Sequence, residues 1–202
     1  MNNKEGNSIP LVSIGIPVRN GFKNKSEDDI NLAKVLDSIL NQSYNNLEIL
    51  VSNNCSYDET NSYLEKLSKT DKRIKIFNQN NKIEAGENFQ FVLDQAKGKY
   101  FRWNAADDLM SEDYIEHNVE FLENNLDYVS SSSKFFFENE KNKSYSHNLD
   151  MNLYTRIKYF FDIRFSSHNV FYSVIRKDII TKSIKMSEDY LAIDWMIDLD
   201  LL

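Results

Sequence analysis

The sequence predicts an α/β fold: a mostly parallel central sheet with helices on both faces. Three observations predict it. Short apolar, β-branched runs alternate with segments of helical periodicity from Leu11 to Asn124. A parallel sheet is wound in that order, because each crossover between parallel strands needs a dozen or more residues and takes them as a helix. The 202 residues show no internal repeat and no Gly/Ser-rich linker, so they read as one domain.

The elements follow in order. Leu11–Ile16 is an apolar run closed by Pro17 and reads as a buried first strand. Gly21–Ser26 is loop. Asp28 and Asp29 open a helix whose apolar face is Ile30, Ala33, Leu36 and Leu40. Leu47–Val51 is the second strand. Ser56 and Glu59 have capping-box spacing and start a helix carrying Leu64 and Leu67. Ile74–Phe77 is the third strand, and Ile83–Lys97 is helical with Gly98 as its C-terminal cap. Tyr100–Trp103 is the fourth strand. Asn104-Ala105-Ala106-Asp107-Asp108 follows it, and Ser111 caps a helix running to about Asn124.

The second half is less regular. Tyr128–Ser133 and Lys134–Phe137 read as strands, and Glu138–Asp150 as a polar loop. Leu153–Ile163 has helical spacing, Val170–Ile175 reads as a strand and Glu188–Leu202 as a helix. The chain ends at Leu201-Leu202 inside that apolar helical pattern, so residues 125–202 read as a half that is incomplete at its C-terminus.

Composition excludes several classes. A net charge of −7 argues against nucleic acid as the partner. Cys55 is the single cysteine, so no intrachain disulfide forms and no Cys/His cluster offers a zinc site. That usage fits a reducing cytoplasm. Met1–Ser8 is polar, with no apolar signal core, and no apolar run is long enough to span a bilayer. The expectation is a cytoplasmic protein with room for peripheral association at the inner membrane face. No Gly-x-Gly-x-x-Gly fingerprint, Walker A loop or Gly-x-Ser-x-Gly elbow is present, which argues against dehydrogenase, ATPase and serine-hydrolase chemistry.

In open parallel sheets, ligands bind beyond the carboxyl ends of the strands. The loops after the first, second and fourth strands therefore matter most. Asp107 and Asp108 are two adjacent carboxylates at a strand end, able to hold a hard divalent cation that bridges to substrate phosphates. An acidic helix-capping turn is the competing reading; the position after the fourth strand favours the cation. Asn53, Asn54 and Ser56 follow the second strand, where side-chain amides can pair with a nucleobase edge or simply build an Asn-rich turn. Asp189 and Asp194 flank the start of the last helix. Either carboxylate could take a proton from an acceptor hydroxyl, or face solvent. Arg164, His168 and Arg176 surround the Val170 strand and could touch a diphosphate or an acceptor.

Taken together, Leu11–Asn124 resembles the family 2 glycosyltransferases, in the family's order and at similar spacing. The resemblance rests on Val12–Asn20, on Ser38–Tyr44 with Leu47–Val51, on Ser52–Thr60, on Asn88, on Ala96–Tyr100 and on Trp103–Asp108. It implies a GT-A fold and an inverting transfer of sugar from a nucleoside-diphosphate-sugar, of the UDP type, to a hydroxyl. Residues 11–124 would then be the nucleotide-sugar-binding half and residues 125–202 the acceptor-side half. Pro17, Arg19, Asn20, Asn53, Asn54 and Asn88 would hold the donor. Asp107 would be the principal ligand of Mg2+ or Mn2+, with Asp108 beside it. Asn169–Arg176 and Asp194-Trp195 look like the acceptor-side strand and the base-bearing helix, so Asp194 would be the base, with Asp189 as the substitute. Glycan, lipid-linked and protein acceptors all fit the resemblance, and bacterial surface polysaccharide synthesis is the implied setting. Three features depart from the family pattern: Asn53-Asn54 stands where an acidic pair is usual, Ala105-Ala106-Asp107-Asp108 stands where an Asp-x-Asp triplet is frequent, so that its first acid is missing, and Arg19 stands where tyrosine is frequent. Two other readings stay open, a sugar-nucleotide nucleotidyltransferase and a non-catalytic nucleotide-binding fragment. The sequence leaves the oligomeric state open.

Overall fold

The structure, a computed structural model, describes residues 9–23, 25–26, 29–136, 143, 151–162, 170–182, 185–186, 197–198 and 201. Six strands form one sheet: β1 (Val12–Val18), β2 (Leu47–Asn53), β3 (Ile74–Asn78), β4 (Tyr100–Trp103), β5 (Ser130–Ser131) and β6 (Val174–Arg176). Their spatial order is β3-β2-β1-β4-β6-β5. The first four pair in parallel. β6 runs antiparallel to β4, and β5 antiparallel to β6. The helices are α1 (Leu32–Leu40), α2 (Thr60–Leu67), α3 (Ala85–Asp94), α4 (Tyr114–Asn124), α5 (Leu153–Asp162) and α6 (Lys177–Ile180).

Every residue of β1 and β2 is buried, as central parallel strands covered on both faces should be. Alternation divides the core in two. Val12, Ile14, Ile16 and Val18 pack with Leu32, Val35, Leu36 and Ile39 of α1 and Ile115, Val119 and Leu122 of α4. On the other face Leu50, Phe101 and Trp103 meet Val92 and Leu93 of α3, and Trp103 stacks on Phe171 with ring centroids 4.5 Å apart. Gly15 makes that second layer close: a Cβ there would lie 2.7 Å from Val92 Cγ2 and 2.8 Å from Phe101 Cζ.

Several boundaries differ from the sequence expectation. β1 runs through Pro17 to Val18. The Gly15 carbonyl accepts from Asn104 on the β4 side, and the Val18 carbonyl accepts from Asn54 on the β2 side. Pro17, two residues past Gly15, therefore turns its nitrogen toward β4 beyond the last β1–β4 pair, where no ladder bond is lost. α1 starts later than expected, capped by Asn31, whose Oδ1 accepts from Lys34 N at 3.2 Å; its buried face is Leu32, Val35, Leu36 and Ile39. Ser56 does not cap α2; its hydroxyl is used by the β1 loop.

α3 starts at Ala85, with the Glu87 carboxylate accepting from Glu84 N at 3.1 Å, and it ends well before Gly98. Gly98 is not a left-handed cap, since no glycine among the described residues has positive φ. It is needed for close approach: a Cβ would sit 2.6 Å from the Tyr100 carbonyl oxygen and 2.7 Å from that of Leu11. Ser111 supplies α4 with its carbonyl, which accepts from Tyr114 N, and not with a side-chain cap. In the second half, β5 is two residues long and Phe135 makes an isolated bridge. Val170–Ser173 is a turn closed on the Val170 carbonyl, so the strand begins only at Val174. The expected loop 138–150 and helix 188–202 lie almost wholly outside the described residues; within the latter, Ile197 and Asp198 are helical and buried.

Candidate functional site

Parallel pairing puts the carboxyl ends of β1–β4 on one edge. Val18 is level with Asn53, and Gly15 with Trp103. The loops after β2 and β4 leave on opposite flanks of β1, tied to it by Asn54 N→Val18 O at 2.8 Å and Asn104 N→Gly15 O at 2.9 Å.

The first two loops are latched together. Three consecutive amides of the β1 loop donate to side chains of the β2 loop: Asn20 N to Ser56 Oγ (2.8 Å), Gly21 N to Thr60 Oγ1 (2.8 Å) and Phe22 N to Asp58 Oδ2 (3.0 Å). Tyr57 N returns a bond to Asn20 Oδ1 at 3.0 Å. Asn20 and Cys55 adopt positive φ, 58° and 50°, to make these turns; asparagine tolerates that region best among the non-glycine residues. Burial works to raise the Asp58 carboxyl, but bonds from Thr60 and the Phe22 amide outweigh it and hold the group below the usual carboxylate range.

Against this latch lies a cavity of about 290 Å³. Pro17, Val18, Arg19 and Asn54 line one side; Lys82, Ile83, Glu84, Ala85, Asn88 and Phe89 line the other. The structure thus brings Pro17, Arg19, Asn54 and Asn88 to one hollow. Asn20 and Asn53 stand behind it. The Asn53 amide bonds Asn78 Oδ1 at 2.9 Å and accepts from Ser56 N. The lining amides are also engaged with protein. Asn54 pairs twice with the Ile83 backbone, Nδ2→O at 2.8 Å and N→Oδ1 at 2.9 Å. Asn88 exchanges bonds with Ser52, whose hydroxyl donates to Asn88 Oδ1 at 2.6 Å. Arg19 and Lys82 are the exposed cations of the lining.

Lys82 escaped sequence reasoning because it follows β3, a loop outside the three expected to matter. The sheet order explains its presence. The β3–β4 crossover must pass β2 and β1, so the start of α3 lies over their carboxyl ends.

Asp107 and Asp108 follow β4, are both exposed and do not line the cavity. Among the described residues, neither carboxylate takes a hydrogen bond or an ion pair. The capping role is excluded for α4, whose N-cap is Asp113. Although the residue keeps contact with solvent, desolvation of its carboxyl pushes Asp108 above the usual range. The Asp107 charge adds to this, and the Arg102 guanidinium opposes it.

Two unengaged, adjacent carboxylates are hard oxygen donors and fit Mg2+ or Mn2+. Among the described residues, no group of three or more His, Cys, Asp or Glu side chains is placed to hold a metal ion. Asp189, Asp194, Arg164 and His168 lie outside the described residues. Arg176 is not at this edge. It faces Tyr100, the first residue of β4, and donates to the carbonyls of Tyr128 (2.8 Å) and Leu122 (2.7 Å), so it closes the opposite end of the sheet.

The mostly parallel six-stranded sheet with its helices has the GT-A fold of glycosyltransferases. Solved structures agree on that fold. Crystalline S. aureus TarS 1–349 superposes with a TM-score of 0.66 over 95% of this chain and 55% of its own, at 14% identity. The mannosyltransferase PcManGT of Pyrobaculum calidifontis, in complex with GDP-Man and Mn2+, superposes with a TM-score of 0.51 over 61% of this chain and 35% of its own, at 20% identity. Residues 13–182 match the model of the glycosyl transferase family 2, and the chain belongs to that family. An uncharacterized glycosyltransferase of Haemophilus influenzae is 36% identical over 128 residues, 63% of this chain and 37% of the relative. The GalNAc(5)-diNAcBac-PP-undecaprenol beta-1,3-glucosyltransferase of Campylobacter jejuni is 38% identical over 101 residues, 50% of this chain and 30% of the relative. The chain spans about a third of the length of these two relatives. Among the described residues, no helix is long and apolar enough to cross a membrane.

Proposed function

We propose that this chain carries the donor site of an inverting glycosyltransferase that moves a sugar from a nucleoside-diphosphate-sugar to a hydroxyl acceptor. One observation carries the reading: a cavity lined by Pro17, Arg19, Asn54, Lys82 and Asn88 opens on the sheet edge that also bears the Asp107 and Asp108 carboxylates, unengaged among the described residues. The nucleoside occupies the cavity, and Arg19 and Lys82 face its diphosphate with positive charge. Asp107, with Asp108 beside it, holds Mg2+ or Mn2+. When bound, such an ion neutralises charge on a diphosphate leaving group. Asp194 takes the proton of the acceptor hydroxyl as that oxygen attacks the anomeric carbon, with Asp189 as the substitute base. Attack opposite the leaving diphosphate inverts the centre, and holding both substrates in line supplies much of the acceleration.

TarS has been crystallised with UDP-GlcNAc, which supports a UDP-sugar donor. The Campylobacter relative's name places its acceptor on a lipid diphosphate, which supports a lipid-linked glycan acceptor. The test is a thermal-shift panel of nucleoside diphosphates with and without Mn2+, since a ligand bound only to the native state raises its melting temperature. A UDP response enhanced by Mn2+ is expected. Absence of any nucleotide response would sink the donor-site reading.

A further inference from the structure

Behind the acidic turn lies a buried polar chain that the donor-site reading does not use. Arg102 is 6% exposed, on the β4 face that packs against α4. Its guanidinium lies over the Tyr114 ring, 4.3 Å from the centroid, and Nη1 donates to Tyr114 Oη at 2.7 Å. It makes no ion pair among the described residues, and Nε has no acceptor. A buried cation left this way is costly and needs a structural reason. Nη2 reaches Asn104 Oδ1 at 3.4 Å. Asn104 is fully buried, and its Nδ2 donates twice, to the carbonyls of Ala105 (2.8 Å) and Asp108 (3.0 Å). One side-chain amide therefore spans the turn from its first peptide to Asp108, and Asp108 N closes the loop on Ala105 O. Among the described residues, no other group donates to the Asp108 carbonyl.

We propose that Asn104, backed by Arg102 and Tyr114, is a positioning residue that fixes the Asp107–Asp108 turn in the shape that presents both carboxylates to a divalent cation. The proposal rests on the reading of Asp107 and Asp108 as cation ligands. The chemistry suits the role. The pull of the Arg102 guanidinium on Asn104 Oδ1 polarises the amide and strengthens the two bonds Nδ2 donates. With Ala105 where the family often has an acid, the turn has fewer carboxylates to share the ion, so the backbone must be held by something other than the ion.

The test compares Asn104→Asp, Tyr114→Phe and Asp107→Ala by Mn2+ titration, read as thermal shift in saturating UDP. Asn104→Asp keeps the shape but turns an acceptor toward two carbonyls. It should raise the Mn2+ midpoint about tenfold or more, the usual cost of losing a group that orients a metal ligand. Its melting temperature should fall, since two carbonyls lose their donor, while its UDP response in EDTA should stay near wild type. Tyr114→Phe keeps the ring and loses one hydroxyl, so it should fold and raise the midpoint less. Asp107→Ala should abolish the Mn2+ response. Wild-type Mn2+ midpoints in both Asn104→Asp and Tyr114→Phe, with Asp107→Ala silent, overturn the positioning role and leave the cation site standing. If Asp107→Ala itself titrates like wild type, the cation site fails and the positioning role fails with it. Should Asn104→Asp not fold, the Tyr114→Phe midpoint decides alone.

Discussion

Asp108 has a carboxyl whose ionisation the fold opposes, through desolvation first and the neighbouring Asp107 charge second. A raised native pKa means that the native state binds more protons than the unfolded chain between the ordinary Asp value and the raised one. Stability therefore falls as pH climbs through that interval, and the penalty is complete above it. Asp108→Asn should accordingly melt higher than wild type at neutral pH without metal, and the gain should shrink as pH falls below the ordinary Asp value, where both side chains are neutral. Melting curves between roughly pH 3 and pH 8 check this; a gain that does not change with pH counts against it. Among the described residues Asp107 has no hydrogen-bond or ion-pair partner, so Asp107→Ala should fold normally. Its transferase turnover should drop by about 100-fold or more, the scale on which removing a charge-stabilising group acts. Near-normal turnover would remove the cation from the mechanism.

At the level of elements, glycines decide how closely β1, β4 and α3 approach. Gly98→Ala aims a Cβ at two backbone carbonyls, of Tyr100 and Leu11, which cannot move without shifting strands. Gly15→Ala meets only Val92 and Phe101 side-chain atoms. Both should destabilise, Gly98→Ala by about 3 kcal/mol and Gly15→Ala by about 1 kcal/mol, within the usual range for overpacking; urea midpoints would show the order. Periodicity made the four parallel strands and most helices legible, because central strands buried on both faces leave continuous apolar runs such as Ile49–Val51. Boundaries were less legible where side chains serve another loop. Ser56 has the spacing of a cap yet bonds Asn20 across 36 residues, a long-range choice that local pattern cannot show. The same limit applies to the site. Pro17, Arg19, Asn54 and the acidic turn were legible as residues beyond predictable strand ends, whereas Asn88, inside α3, came only from the family resemblance. Lys82, Arg102 and Asn104 were not legible, because the first depends on a crossover and the other two sit inside what reads as strand and spacer.

Across the whole molecule, the carboxyl edge of the sheet carries the cavity, and the amino-terminal side is held by Glu48. This buried carboxylate accepts from Ser13 Oγ of β1 (2.6 Å), Lys75 Nζ of β3 (2.6 Å) and Lys97 N ahead of β4 (2.7 Å). One side chain thereby gathers three strands and the α3–β4 connection. Burial alone would raise its pKa, but the Lys75 ammonium, the Ser13 hydroxyl and the Lys97 amide more than offset that and hold it below the usual Glu range. A depressed native pKa gives stability that is complete above the unfolded value, about 4.3, and is lost as pH falls through the lower native one. Glu48→Gln keeps the volume and removes the charge, which leaves Lys75 without its partner and turns amide hydrogens toward donors. It should cost about 1–3 kcal/mol at neutral pH. The gap to wild type should close only at the acid end, as the wild-type carboxyl itself protonates. The UDP response of folded Glu48→Gln should match wild type, because sites that share no partners act independently. Urea titrations at neutral and acidic pH, paired with the UDP thermal shift, separate the two effects. A constant gap at every pH would mean that Glu48 stabilises by shape alone. A lost UDP response in folded protein would mean that the two ends of the sheet are coupled.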